Sequence, residues 1–332
     1  MSFVQALVPA EHASKHLLAV PEGASASLPQ LAGAWFADVG WMREPASAPR
    51  KMAGARFRGM QAATPSEASG PGRLQVGTEH CADGPFTVSA EQVAHFGITG
   101  PAQVWPLGRG DGLVDVRGAR ASAYDDRDGI ARAFASGLPQ GEELRVVQWT
   151  VAVARKLGGA VLADGRHLLR PDPSGAVDLS LYSAHPVPAA DMLAMMRSLV
   201  GTAHVELEET TPDGGTRYQL VGATPYDGAI VVQSERVERV PRALVALEWR
   251  EYGPFAYHLG WRPHEPYELQ VEEPSGVHVI ARARMRAMLA RLALLLHSRA
   301  QGVFVDDGAF LATVAEVERR TDGGVAPARA WV

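Results

Sequence analysis

The chain has almost no cysteine. Its single thiol, Cys81, excludes an intrachain disulfide and any cysteine-based zinc cluster, and it fits a reducing cytoplasm. Long apolar runs are also missing. No stretch reaches the ~20 apolar residues that a membrane span needs; the nearest, Ala287–Leu296, is short and is interrupted by Arg291. The opening MSFVQALVPA has neither a basic region nor a long apolar core, so no secretory signal is read there and a cytoplasmic location is expected. Lysine is scarce: of 32 basic residues only Lys15, Lys51 and Lys156 are lysine. Arginine makes planar, bidentate contacts that lysine cannot, but abundant Ala, Gly and Arg are also what a GC-rich bacterial genome encodes. A net charge of -5 argues against general binding of nucleic acid or an anionic membrane. Catalytic signatures are lacking too, since no glycine loop of the P-loop or dinucleotide type and no G-x-S-x-G elbow occurs.

What is present is the composition of a soluble globular protein, 46% hydrophobic and 21% charged. At 332 residues the chain is long for one core, which suggests two domains or one domain with a covering segment. A helix followed by a short strand, 141–171, returns near the C-terminus as 279–313. A shift of about 143 positions places Gly159 on Gly302, Val161 on Phe304, Asp164 on Asp307 and Gly165 on Gly308. Upstream, Val146, Trp149 and Val153 fall on Leu289, Leu292 and Leu296, one helical face in each copy. Both copies read as amphipathic helix, glycine stop, apolar strand, Asp-Gly turn and second short strand.

Residues 1–72 are rich in Pro, Ala, Gly and Ser and read as an irregular N-terminal segment. Two patches, Phe3–Val8 and Leu31–Met42, can order, and the second, with Trp35, Phe36 and Trp41, is expected to dock on the body. The basic run Arg50, Lys51, Arg56 and Arg58 reads as a solvated loop. Ser89 is expected to cap a short helix, Ala102–Leu107 and Leu113–Val116 to form strands, and Asp128 to cap IARAF. Asp125, Asp126 and Asp128 resemble a calcium loop only faintly, because position twelve is Ser136. Val177–Ser183, Ala203–Thr210, Thr216–Val221 and Ala229–Arg236 alternate as strands, with a turn at Pro212–Gly215 and the helix Pro188–Leu199. Glu206 and Glu208 share a face expected to meet solvent.

The most aromatic stretch, Leu244–Val271, reads as strands or a hairpin. It offers a ligand groove made of Trp249, Tyr252, Tyr257, His258, Trp261 and His264, with Arg282 and Arg286 on the following helix. The plainer reading packs these rings into a core. His258, His264 and Glu265 are chemically suited to zinc, but their spacing matches no closed site, so neither a metal nor a cofactor is expected. Arg282 and Arg286 are i, i+4 neighbours that need an anion or acidic side chains opposite; Glu268, Glu272 and Glu273 are the obvious intramolecular partners. Asp164 and Asp307 would do acid/base work if they met across a pseudo-twofold axis, although their turn positions explain them without it.

The fold class read from the sequence is α+β. It comprises two related α/β-sandwich-like halves, 73–175 and 176–320, in a tandem ferredoxin-like or related arrangement. The N-terminal segment 1–72 and a tail 321–332 flank them. The function read is a non-catalytic module that binds a small molecule or protein through the aromatic groove. The alternative is a hydrolase- or isomerase-type enzyme with carboxylate or histidine acid–base groups in the inter-repeat cleft. Homodimerisation through an open sheet edge is a further expectation.

Overall fold

The computed structural model describes residues 3–24, 26–45, 70–110, 117–118, 126–211 and 215–322. The basic run at 50–58, the strand expected at 113–116, Asp125 and most of the turn at 212–215 lie outside these residues. The chain is mixed α+β, with two antiparallel sheets in two sheet-containing halves.

The first half runs β1 (His16–Pro21), α1 (Leu28–Gly33), β2 (Val39–Arg43), β3 (Gly72–Val76), β4 (His80–Gly84), β5 (Phe86–Val88) and α2 (Ala90–Val93). It continues with β6 (Ala102–Arg109), α3 (Ile130–Ala133), α4 (Gly141–Leu157), β7 (Ala160–Ala163) and β8 (His167–Leu169). Its sheet has the order β2-β3-β4-β6-β1-β7-β8, with β5 also on β6. The second half runs β9 (Leu179–Ser183), α5 (Ala189–Leu199), β10 (His204–Thr210), β11 (Thr216–Ala223), β12 (Ala229–Arg236) and α6 (Trp249–Tyr252). Then come β13 (Phe255–Arg262), α7 (Gly276–Ala300), β14 (Val303–Asp306), β15 (Leu311–Ala312) and α8 (Val314–Thr321). Its sheet has the order β10-β11-β12-β13-β9-β14-β15.

The two orders correspond strand for strand, with β1 in the place of β9, β6 of β13, and β7–β8 of β14–β15. A ferredoxin-like half would be β-α-β-β-α-β. Each half here has four strands between its helices on the sheet path and two after the second, so the ferredoxin-like description is not confirmed.

The N-terminal segment is not merely a covering. His16–Pro21 pairs with both β6 and β7 inside the first sheet. Leu18 and Val20 enter the core beneath α1 and α4, while Leu17 and Ala19 enter the opposite core with Val4, Leu7, Val93 and Phe96. A strand covered on both faces is apolar throughout rather than alternating. Val4, Leu7 and Val8 line the second of these cores, and Leu31, Phe36 and Trp149 pack together in the first, where the Trp149 indole donates to the Leu31 carbonyl at 3.1 Å.

The glycines of the two copies share a physical cause. Gly158 (φ +69) ends α4 in the left-handed region, and Gln301 (φ +57) stands at the equivalent point of α7. The next residues, Gly159 and Gly302, lie against β1 and β9. A Cβ there would meet the Ala19 and Tyr182 carbonyl oxygens at 2.2 and 2.1 Å, closer than any side chain tolerates. The Asp-Gly turns differ. Asp164 (φ +51) and Gly165 (φ +62) make a left-handed pair between β7 and β8. In the second copy Asp306 organises the turn: its Oδ1 accepts from the backbone N–H groups of Gly308 (3.1 Å) and Phe310 (2.9 Å), and Ala309 takes the positive φ.

Ser89 caps α2 in a reciprocal capping box with Gln92, as expected. Asp128 does not cap the next helix. The Asp126 carboxylate accepts from the N–H groups of Ala131 and Arg132 instead, which releases Asp128 for an ion pair described below.

The first turn of α4 is tied to the β3–β4 turn by Glu142. Its carboxylate accepts from the Thr78 N–H (2.8 Å), the Thr78 hydroxyl (2.8 Å), the Glu79 N–H (2.7 Å) and His80 Nδ1 (2.9 Å). Burial alone would raise its pKa, but these bonds outweigh it and hold the carboxyl at about 2. A depressed carboxyl stabilises the fold above its unfolded pKa near 4.5, and that contribution is lost as pH falls toward 2. Glu142→Gln is therefore expected to cost about 2 kcal/mol at pH 7, less than the full shift implies because the site is partly open to water. Urea unfolding should show the gap to wild type closing between pH 4.5 and pH 2. A gap independent of pH would contradict this.

Candidate functional site

The aromatic stretch does not form a hairpin or a single groove. It is one strand, β13, between short helices, and its residues separate. Alternation sends Tyr257 and Trp261 into the core beneath α5 and α7. There the Tyr257 hydroxyl accepts from the Val187 N–H at 2.7 Å and donates to the His185 carbonyl at 3.0 Å. The Trp261 indole donates to the Asp227 carbonyl at 2.6 Å. His258 lies on the other face, with Nδ1 2.8 Å from the Ser180 hydroxyl and Nε2 3.8 Å from Glu235; burial lowers its pKa. His264 and Trp249 are exposed, and Tyr252 packs on the small cluster of Tyr182, Leu244, Ala256 and Val305. His258, His264 and the rings therefore do not converge on one ligand position.

Arg282 and Arg286 do reach a common place, the junction between the halves. Neither takes the glutamates expected from the sequence. Arg282 is buried and ion-paired with Asp172, with Ser174 Oγ at 3.3 Å. Glu268 instead accepts from Ser275 N (2.7 Å) and Oγ (2.9 Å), and Glu272 pairs with Arg132 at 2.7 Å. Arg286 Nε donates to the Ala176 carbonyl at 3.0 Å. Burial, and then repulsion from Arg320, lower the Arg286 pKa to about 10, so it stays charged at neutral pH but without enough compensating charge.

The junction is built by the β14–β15 turn. Phe310, 1% exposed, leaves the second sheet and enters the first half's core, where its ring centroid lies 6.4 Å from that of Trp35. The Trp35 indole donates to the Gly308 carbonyl at 2.8 Å. Lys156, at the end of α4, donates to Asp306 at 2.9 Å and to the Leu311 carbonyl at 3.0 Å, and it lies 3.5 Å from Glu316. Arg155 pairs with Asp128, the carboxylate that Asp126 released from capping.

A cavity of about 260 Å³ opens among these groups. Arg155, Lys156, Arg286, Arg319 and Arg320 line it against only Asp306, Asp307 and Glu316, so cations are in excess. The carboxylates are largely engaged: Asp306 and Glu316 hold Lys156, and Arg127 lies 3.9 Å from Asp307. The excess falls on Arg286, Arg319 and Arg320, which make no ion pair among the described residues; Arg319 Nε donates to the Ala315 carbonyl within its own helix. Arg320 is 8% exposed, and its Nη1 is buried with no hydrogen-bond partner. A buried donor left unsatisfied costs about 1–3 kcal/mol, more when charged, and an anion in the cavity would satisfy it.

A second polar cluster occupies the equivalent corner of the first half. His16, Glu143 and Asp164 offer ligand atoms within 4.8 Å of one another, the one group among the described residues with metal-like spacing. Asp164 N–H donates to His16 Nδ1 at 3.0 Å, so a neutral ring carries its proton on Nε2, which faces Glu143 at 3.4 Å. No imidazole lone pair is then left for a metal, and Arg117 pairs with both carboxylates. The arrangement fits an ion-paired cluster. It also keeps Asp164 away from Asp307, whose neighbours are Arg127 and Arg155, so the recurring aspartates are held by different cations.

No motif in the sequence marks Arg155, Lys156, Asp306, Phe310 or Arg320. One signal was available: in a chain nearly devoid of lysine, Lys156 stands beside the duplicated glycine stop. No helix among the described residues is long and apolar enough to cross a membrane. No family model, curated protein or solved structure matches the chain.

Proposed function

We propose that the chain is a non-catalytic binding module that takes an anionic ligand in the junction between its halves. The observation that carries this reading is Arg320, a nearly buried guanidinium with an unpartnered nitrogen, facing a cavity in which cations outnumber carboxylates. The corresponding strand orders support an internal repeat, in which the Asp-Gly turn of the second copy has diverged to plug into the first. A second reading, a hydrolase- or isomerase-type enzyme, is favoured by Asp307. Burial raises its carboxyl pKa despite Arg155, as suits an acid at the cavity wall. For self-association one sheet edge is β10, exposed along its length and carrying Glu206, Glu208 and Glu209. Charge on an open edge opposes pairing with a second copy.

Isothermal titration with inorganic phosphate at constant ionic strength tests the reading. Arg320→Gln is expected to weaken binding at least about tenfold, the scale of one charged hydrogen bond. Arg299→Gln, at an exposed position paired with Asp191, should leave binding unchanged. Equal weakening in both variants, or none in either, would sink the proposal.

A further inference from the structure

Resting on that reading, we infer that the ligand is an organic anion whose body lies along α7 in a second, larger cavity beside the first. This cavity measures about 840 Å³, within the range of small-molecule sites, whereas the first holds little more than an anionic group. The two adjoin. Arg155 lines both, Asp172 and Gly175 line the larger, and Pro173 and Ala176 line the smaller. On α7, Arg282 faces the larger and Arg286, one turn on, the smaller. Together they make a groove roughly 15 Å long, from the start of α7 to Arg286, at 1.5 Å per helical residue.

The parts differ in chemistry. The larger cavity is lined by four arginines, Arg127, Arg155, Arg170 and Arg282, and by four carboxylates, Asp128, Asp172, Glu272 and Glu273, so its formal charges balance. It therefore offers no surplus charge for an anion. It has apolar wall from Val271, Pro274 and Val279, and Arg282 Nε, on a side chain 7% exposed, is a buried donor without a hydrogen-bond partner. An uncharged body with a hydrogen-bond acceptor suits that wall, and a phosphate or carboxylate head group suits Arg286 and Arg320.

Titration of the full chain with inorganic phosphate, 1-naphthyl phosphate and 1-naphthoate tests this. Either naphthyl compound should bind at least about tenfold more tightly than inorganic phosphate, the gain expected from burying an aromatic body. The tighter of the two assigns the head group. Val279→Trp, which fills the larger cavity, should remove that gain and leave inorganic phosphate binding unchanged. Glu273→Trp, at an exposed rim position, serves the same purpose if the first variant does not fold. Inorganic phosphate binding without a gain for either naphthyl compound overturns this inference alone. Binding of none of the three overturns the anion reading beneath it.

Discussion

Phe310→Ala is expected to lower the unfolding free energy by about 3–5 kcal/mol, the range for truncating a fully buried aromatic side chain. The ring is 1% exposed, lies in the first half's core beside Trp35, and has the Lys156 ammonium 5.9 Å from its centroid. It belongs by sequence to the second half, so its removal opens a void at the point where the halves interlock. Denaturant unfolding followed by tryptophan fluorescence should show the loss together with a changed emission from Trp35. Phe310→Leu should cost much less, because most of the volume is kept. A loss below about 1 kcal/mol for the alanine variant would mean that the halves do not depend on this contact.

Asp306→Ala is expected to cost about 3 kcal/mol. The side chain is 9% exposed and does two jobs. It accepts the Gly308 and Phe310 N–H groups that shape the turn, and it accepts from Lys156 across the junction. Alanine leaves two buried donors without an acceptor and Lys156 with only the Leu311 carbonyl and the longer contact to Glu316. Asp306→Asn keeps an oxygen for the turn but removes the charge, so it should retain roughly half of the stability at stake. High salt should change the wild-type value little, because a buried pair is poorly screened. Thermal unfolding of both variants at low and high salt checks this; equal destabilisation by Asn and Ala would assign the whole effect to the ion pair.

Much of the scaffold could be read from the chain because it rests on local signals. The strands β9 to β12 and helix α5 follow from alternation, helical spacing and turn residues. The helix–strand copies show in glycines that no other residue can replace, since Gly159 and Gly302 meet the same carbonyl position of β1 and β9. β1 was missed because HLLAVP is apolar on both faces and sits in a stretch dominated by Pro, Ala, Gly and Ser, where alternation gives no cue. Asp128 beside IARAF looks like a cap, and only the fold shows that Asp126 does that work while Asp128 pairs with Arg155.

The candidate site was less legible because its partners are far apart in sequence. Lys156 and Asp306 are 150 residues apart, and Arg282 and Asp172 are 110 apart. Basic residues at the end of α4 read as ordinary complements of the helix dipole. Arg282 and Arg286, at i, i+4, need negative charge opposite, and for Arg282 it comes from Asp172. The glutamates nearest in sequence are engaged elsewhere, Glu272 by Arg132 and Glu268 by Ser275, because proximity in sequence is not proximity in the folded chain. The aromatic residues drew attention by number, yet alternation along β13 already divides Tyr257 and Trp261 from His258.

Arg286 and Arg320 are proposed to hold an anion in the junction between the halves. Anomalous diffraction from crystals grown with tungstate, a heavy analogue of phosphate, tests it most directly. The strongest anomalous peak is expected within hydrogen-bond reach of both guanidinium groups, and it should be lost in Arg320→Gln crystals. A wild-type peak elsewhere with none in this cavity, or one that survives unchanged in the Arg320→Gln protein, would contradict it.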